Sequence, residues 1–99
     1  MARLKAKYNP TPTAREKSYH LWLMDEYACV CGCGRYAECV HHPLTRHPEQ
    51  RWRRDHEYVV PMASCCHFAL HARGRDGFAF SLADMAGYYR HQAGKAGKL

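Results

Sequence analysis

The stretch Cys29–Pro43, CVCGCGRYAECVHHP, holds four cysteines and two adjacent histidines in fifteen positions. A second stretch, CCHFALH, runs from Cys65 to His71. Thiolates and imidazoles bind transition metals, thiols pair into disulfides, and an unliganded imidazole moves protons near neutral pH. Three chemistries are therefore open: a disulfide framework, a structural metal site and a catalytic site.

The histidines narrow the choice. His67 and His71 are four apart in a segment that reads as a helix. That spacing puts both imidazoles on one face, one turn apart, within reach of a single ion. The plain alternative is two half-buried helix histidines with no ligand. His41 and His42 end a short strand that Pro43 breaks, and neighbouring strand residues face opposite ways. One can then hold a metal while the other faces a substrate. His41, His67 and His71 would form a three-histidine site with open coordination positions. His42 would be a free imidazole beside it, able to take a proton from water.

Cys29, Cys31 and Cys33 lie in a tight turn with two glycines, and Cys65 and Cys66 open the second stretch. Cys39, inside the strand, reads as a small buried apolar residue. Six cysteines in a short secreted chain would suggest disulfides. The N-terminus, MARLKAKYNPTPT, is basic and polar and lacks the apolar run of an export signal. No stretch has the length of a transmembrane helix. The expected location is the reducing cytoplasm, where clustered Cys and His serve metals more often than disulfides.

With 99 residues the chain is one domain. A chain of that size buries only about 60–65% of its unfolded surface, so a metal, a disulfide or a partner is expected to staple it. The net charge is +6 and the isoelectric point about 9.2. Arg46, Arg51, Arg53 and Arg54 cluster around Trp52, a basic surface with an aromatic between, which suits nucleic acid. A merely solvated basic surface is the alternative.

Several elements must position these groups. Residues 1–12 read as a flexible basic arm. Thr13 and Glu16 make a capping box that starts a helix to about Glu26. Its apolar face takes Tyr19, Trp22, Leu23 and Glu26 or Tyr27. A knuckle-like turn covers Cys29–Gly34 and a strand covers Ala37–His41. Pro43–Arg54 reads as a loop and His56–Val60 as a second strand. Pro61 is expected in the first turn of a helix that carries Cys65–His71 and ends near Arg73. Ser81 and Asp84 open a last helix with a Leu82, Met85, Ala86, Tyr89 stripe, fading near Ala93. The folded domain spans 13–93 and residues 94–99 form a frayed tail.

The constellation ECVHHP, a loop, then DHEYVVPMASCCHFALH resembles the HNH, or ββα-metal, nuclease family. The likeness covers roughly Cys29 to His71. The HH…HxxxH spacing is similar to the colicin-type nuclease site. The upstream cysteine turn and the VP leading into the helix resemble small phage nucleases, including the recombination-enhancement type. The resemblance implies an α+β fold: a small ββα-metal core, zinc-stapled, with flanking N- and C-terminal helices. It implies His41, His67 and His71 as ligands of a divalent metal and His42 as general base. It also implies a separate structural zinc, whose candidate ligands are Cys29, Cys31, Cys33 and Cys66, with Cys65 as the alternative to Cys66, although the family's usual pair of CxxC knuckles is absent. Three imidazoles suit Zn²⁺, Ni²⁺ or Mn²⁺ better than Mg²⁺, though the family also admits Mg²⁺. The family's asparagine that orients the base is missing from RRDHEYVV, which leaves Asp55, His56 or a backbone carbonyl for that task. The implied partner is DNA, gripped by the arginines, with a recombinase or phage assembly as a further possibility and the host cytoplasm as the site of action. The rival reading is a non-catalytic, zinc-stabilised DNA-binding module, which has no use for His42. A small zinc-stapled adaptor for another protein is a third.

Overall fold

The structure, a computed structural model, describes residues 11–46, 52–73 and 81–99. Residues 1–10, 47–51 (with the candidate Arg51) and 74–80 lie outside the described residues, as do the side chains of Arg46, Trp52, Arg53 and Arg73. The chain is a small α+β fold: helix α1 (Ala14–Glu26), strands β1 (Cys39–His41), β2 (Thr45–Arg46), β3 (Trp52–Arg53) and β4 (Val60–Met62), then helices α2 (Ser64–Arg73) and α3 (Leu82–Lys95). No described helix is long and apolar enough to cross a membrane.

Helix α1 starts where the capping box places it. The Thr13 hydroxyl accepts from the Glu16 amide at 3.1 Å, and the Glu16 carboxylate accepts from the Thr13 amide at 2.8 Å. Satisfying both otherwise orphaned donors contributes about 1 kcal/mol. Tyr19, His20 and Leu23 are the buried face. After Tyr27 the backbone extends and closes a turn, with the Cys29 amide donating to the Arg35 carbonyl at 3.0 Å. Gly32 and Gly34 adopt φ of 82° and 85°, a region that disfavours side chains.

β1 and β4 pair antiparallel, with His41 opposite Val60 and Cys39 opposite Met62. The second strand is therefore Val60–Met62, which begins four residues later than expected and shares only Val60 with His56–Val60. Residues 55–58 instead form a tight turn. Tyr58 donates its amide to the Asp55 carbonyl at 3.1 Å, and the Glu57 amide donates to the Asp55 carboxylate at 2.9 Å. Aspartate closing its own turn in this way outcompetes the strand propensity of the segment. Pro61 sits within β4 rather than in the helix. A two-stranded sheet leaves one edge of each strand unpaired, where a missing amide proton costs little. α2 begins at Ser64, whose amide donates to the Glu38 carboxylate at 2.9 Å.

The segment expected to be a loop contains a short hairpin, with Thr45 opposite Arg53 and Arg46 opposite Trp52. α3 starts at Ser81, whose hydroxyl accepts from the Asp84 amide at 3.2 Å. It buries Leu82, Ala86, Tyr89 and Ala93. The helix runs to Lys95, two residues beyond the expected end at Ala93, and Ala96 is its C-cap. Gly97 takes φ of 76°, and the Lys98 amide returns to the Ala93 carbonyl at 2.8 Å. Leu99 packs against the core.

α1 and α3 pack on β4, and α2 packs on β1. The core they enclose centres on Tyr19, Leu23, Val59, Val60, Met62 and Ala86.

Candidate metal centres and the histidine beside them

Two clusters of metal-ligating side chains meet α2. The first joins the knuckle to the first turn of that helix. The Sγ atoms of Cys29, Cys31, Cys33 and Cys66 all lie within 4.8 Å of one another. Cys29 and Cys31 are 3.4 Å apart, Cys31 and Cys66 3.5 Å, and Cys33 and Cys66 3.7 Å. A tetrahedral ion with zinc–sulfur bonds near 2.3 Å needs sulfurs about 3.8 Å apart. The four thiols fit a structural zinc in donor type, number and spacing. All six cysteines are free, against the disulfide alternative.

Crowding splits the acidity of these thiols. The Arg35 backbone amide pulls Cys33 down to about 7. Contact with Cys31, then burial, pushes Cys66 up. A bound divalent cation would override both effects and favour four thiolates. Cys65 points elsewhere: its exposed sulfur accepts from the Arg35 guanidinium at 2.7 Å.

The second cluster is His41, His67 and His71. β1 ends by presenting His41 to the face of α2 that carries the other two. His41 Nδ1 lies 3.2 Å from His67 Nε2, which lies 3.0 Å from His71 Nε2. Imidazole ligands at 2.0–2.1 Å around one ion stand about 3.0–3.4 Å apart, depending on coordination number. Burial, followed by the neighbouring His67 and His71, lowers His41 to about 4, and burial also lowers His67. Near neutral pH both are uncharged, with lone pairs open to a cation.

Cys39 is half-buried and belongs to neither cluster. Its sulfur lies 3.6 Å from His67 Nδ1 and donates to the Met62 carbonyl at 3.4 Å. With His67 Nε2 turned to the cluster, Nδ1 carries the proton and Cys39 is its acceptor. An outer partner of this kind fixes the tautomer of a metal-ligating imidazole. The role of Cys39 exceeds that of the apolar filler expected from its place in the strand.

His42 faces away from the three-histidine cluster. Its Nε2 lies 3.0 Å from His56 Nδ1. Of the three groups that could orient it, His56 supplies the side-chain contact. Burial, then His56 and His20, lowers His42 to about 4. Arg54, which is exposed, bears electrostatically on both His41 and His42 and so lies near the site. Arg46 and Arg53 fall on the two strands of the adjoining hairpin.

His20 completes this corner from α1, 8% exposed, with Nε2 donating to the His56 carbonyl at 2.7 Å. It lies three residues before Leu23 on the buried stripe of α1, and that spacing is the one trace of it in the sequence.

Comparison of the chain with protein-family models, with curated proteins and with solved structures finds no match.

Proposed function

We propose that the chain is a metal-dependent DNA endonuclease of the HNH, or ββα-metal, type. The observation that carries this reading is the division of labour between His41 and His42. One joins His67 and His71 in a cluster fit for a cation. Its neighbour turns the other way and is held by His56, outside that cluster. A structural module needs only the first of these.

In this reading His41, His67 and His71 hold the ion. When bound, a divalent cation supplies positive charge to the scissile phosphate and to the departing 3′ oxygen. The chain's own residues do the rest. His42 donates its Nε2 proton to His56 Nδ1, which leaves the Nδ1 lone pair to take a proton from the attacking water. Burial keeps His42 neutral before substrate arrives, and an adjacent phosphate raises its affinity for the proton. Arg54 and the arginines of the hairpin neutralise the DNA backbone, with Arg51 as a further candidate. The four-cysteine cluster stands apart as a zinc staple.

Substitution separates the two kinds of histidine. His42→Ala should keep its metal content, yet cleavage should fall by about two to four orders of magnitude, as for loss of a general base. His67→Ala should lower metal content and cleavage together. Normal cleavage by His42→Ala would remove His42 from the mechanism. Salt-dependent DNA binding with no cleavage by the wild type would leave a DNA-binding module.

A further inference from the structure

The turn at residues 55–58 is held from both sides by helices that contribute nothing to the two clusters on α2. From α1, the buried His20 donates to the His56 carbonyl at 2.7 Å. From α3, Arg90 reaches the Glu57 carboxylate through Nε at 3.0 Å and Nη2 at 2.9 Å. Its guanidinium also lies 5.0 Å from the centre of the Tyr58 ring. Between these two grips sits His56, 6% exposed, whose ring meets His42 at 3.0 Å.

His20, His42 and His56 also have ring nitrogens within 4.8 Å of one another, which could mean a further metal site. His20 Nε2 is committed to a carbonyl oxygen, which accepts only, so this nitrogen carries a proton and an ion could meet this ring only through Nδ1. In the cluster of His41, His67 and His71, by contrast, one nitrogen closely approaches both of the others.

We propose that His20 is a positioning residue for the base, acting through His56 on His42, and that α1 and α3 together form a clamp on the base-holding turn. The proposal rests on the nuclease reading for its catalytic consequence. The proton arrangement shows what the clamp must achieve. If His42 Nε2–H donates to His56 Nδ1, His42 Nδ1 has a free lone pair for the proton of water. If His56 Nδ1–H donates to His42 Nε2, the His42 proton sits on Nδ1 and the base is lost. The same pair of rings supports both arrangements, and the partners that the outer nitrogens meet select between them, which depends on where the turn holds the His56 ring. The His20 bond holds the backbone from which the His56 ring projects. Removing it frees that ring, and the His42 proton is no longer confined to one nitrogen.

The test uses the full chain with His20→Leu, which removes the donor, and His20→Gln, whose amide can still reach the carbonyl. Nitrogen-detected NMR of the His42 ring reads the tautomer directly, alongside metal content and single-turnover cleavage. We expect the wild type to show the Nε2–H form alone. His20→Leu should show mixed tautomers with unchanged metal content, and cleavage reduced about 10- to 100-fold, the usual scale for outer partners. His20→Gln should restore both. A wild-type tautomer and rate in His20→Leu would overturn the proposal. So would a third metal equivalent in the wild type that His20→Leu loses, since the cluster would then be a metal site. Should His20→Leu not fold, Arg90→Ala loosens the same turn from an exposed position, and an unshifted His42 tautomer there would overturn the clamp. If the wild type cleaves no DNA, the nuclease reading fails, while the tautomer measurement still decides whether His20 positions His42.

Discussion

Cys65 and Cys66 are adjacent, yet only Cys66 joins the sulfur cluster. On a helix, neighbours diverge by about 100° around the axis, so one backbone cannot turn both thiols to one point. Cys66→Ser should therefore lose one bound metal and lower the melting temperature sharply, because structural zinc binding is part of the folding free energy. Cys65→Ser should keep the metal and lose only an exposed contact with Arg35. Elemental analysis and thermal melts of the two variants check this, and equal metal loss in both would contradict it. The histidines add a pH dependence. His20 and His42 are lowered from the ordinary 6.5, chiefly by burial, His42 to about 4. Between those values the unfolded chain binds more protons than the folded one, so stability rises with pH through that window. It is fully present above about 6.5 and is lost as pH falls towards about 4. Melting temperature should drop on acidification from neutral to about pH 5, and a flat profile would show that these rings are not buried as neutral groups.

At the scale of elements, α2 buries the fewest described side chains of the three described helices. Of its ten residues, Leu70 is the buried one among those with described side chains. Cys66 ties its first turn to the knuckle, while His67 and His71 tie its middle to β1. Chelation should therefore expose α2 amides to hydrogen exchange before those of α1 and α3, which bury Tyr19, Leu23, Ala86 and Tyr89. Simultaneous loss of protection in all three helices would contradict this division. The same elements show what a sequence can reveal. The α1 capping box, the α2 histidine spacing and the α3 stripe are local patterns within a few residues, and the structure places them where those patterns lead. The second strand was less legible. His56–Val60 has the composition of a strand, but the bonds of Asp55 make a turn of it, and pairing with β1 falls on Val60–Met62. His20 was silent for a similar reason. Its partner is thirty-six positions away, and nothing near it in the sequence marks the contact.

The whole molecule has a thin core beside two groups of side chains positioned to hold metal ions. Its radius of gyration is 13.6 Å, and the three described helices pack on the sheet formed by β1 and β4. A chain of this size has little apolar surface to bury, and a metal on the four-cysteine cluster would offset that shortage. The three-histidine cluster has a different character. Neutral imidazoles leave an ion its full charge, and the net charge of +6 would draw a polyanion towards it. His42 stands beside that centre and helps to hold no part of it. The most direct test of the nuclease account is conversion of supercoiled plasmid by the purified chain, first stripped with chelator and then supplied with Mn²⁺, Ni²⁺, Zn²⁺ or Mg²⁺. The account predicts intact plasmid in chelator and nicked or linear product once a divalent ion is restored. Plasmid that stays supercoiled with every ion, in protein whose histidine cluster is loaded, would contradict it.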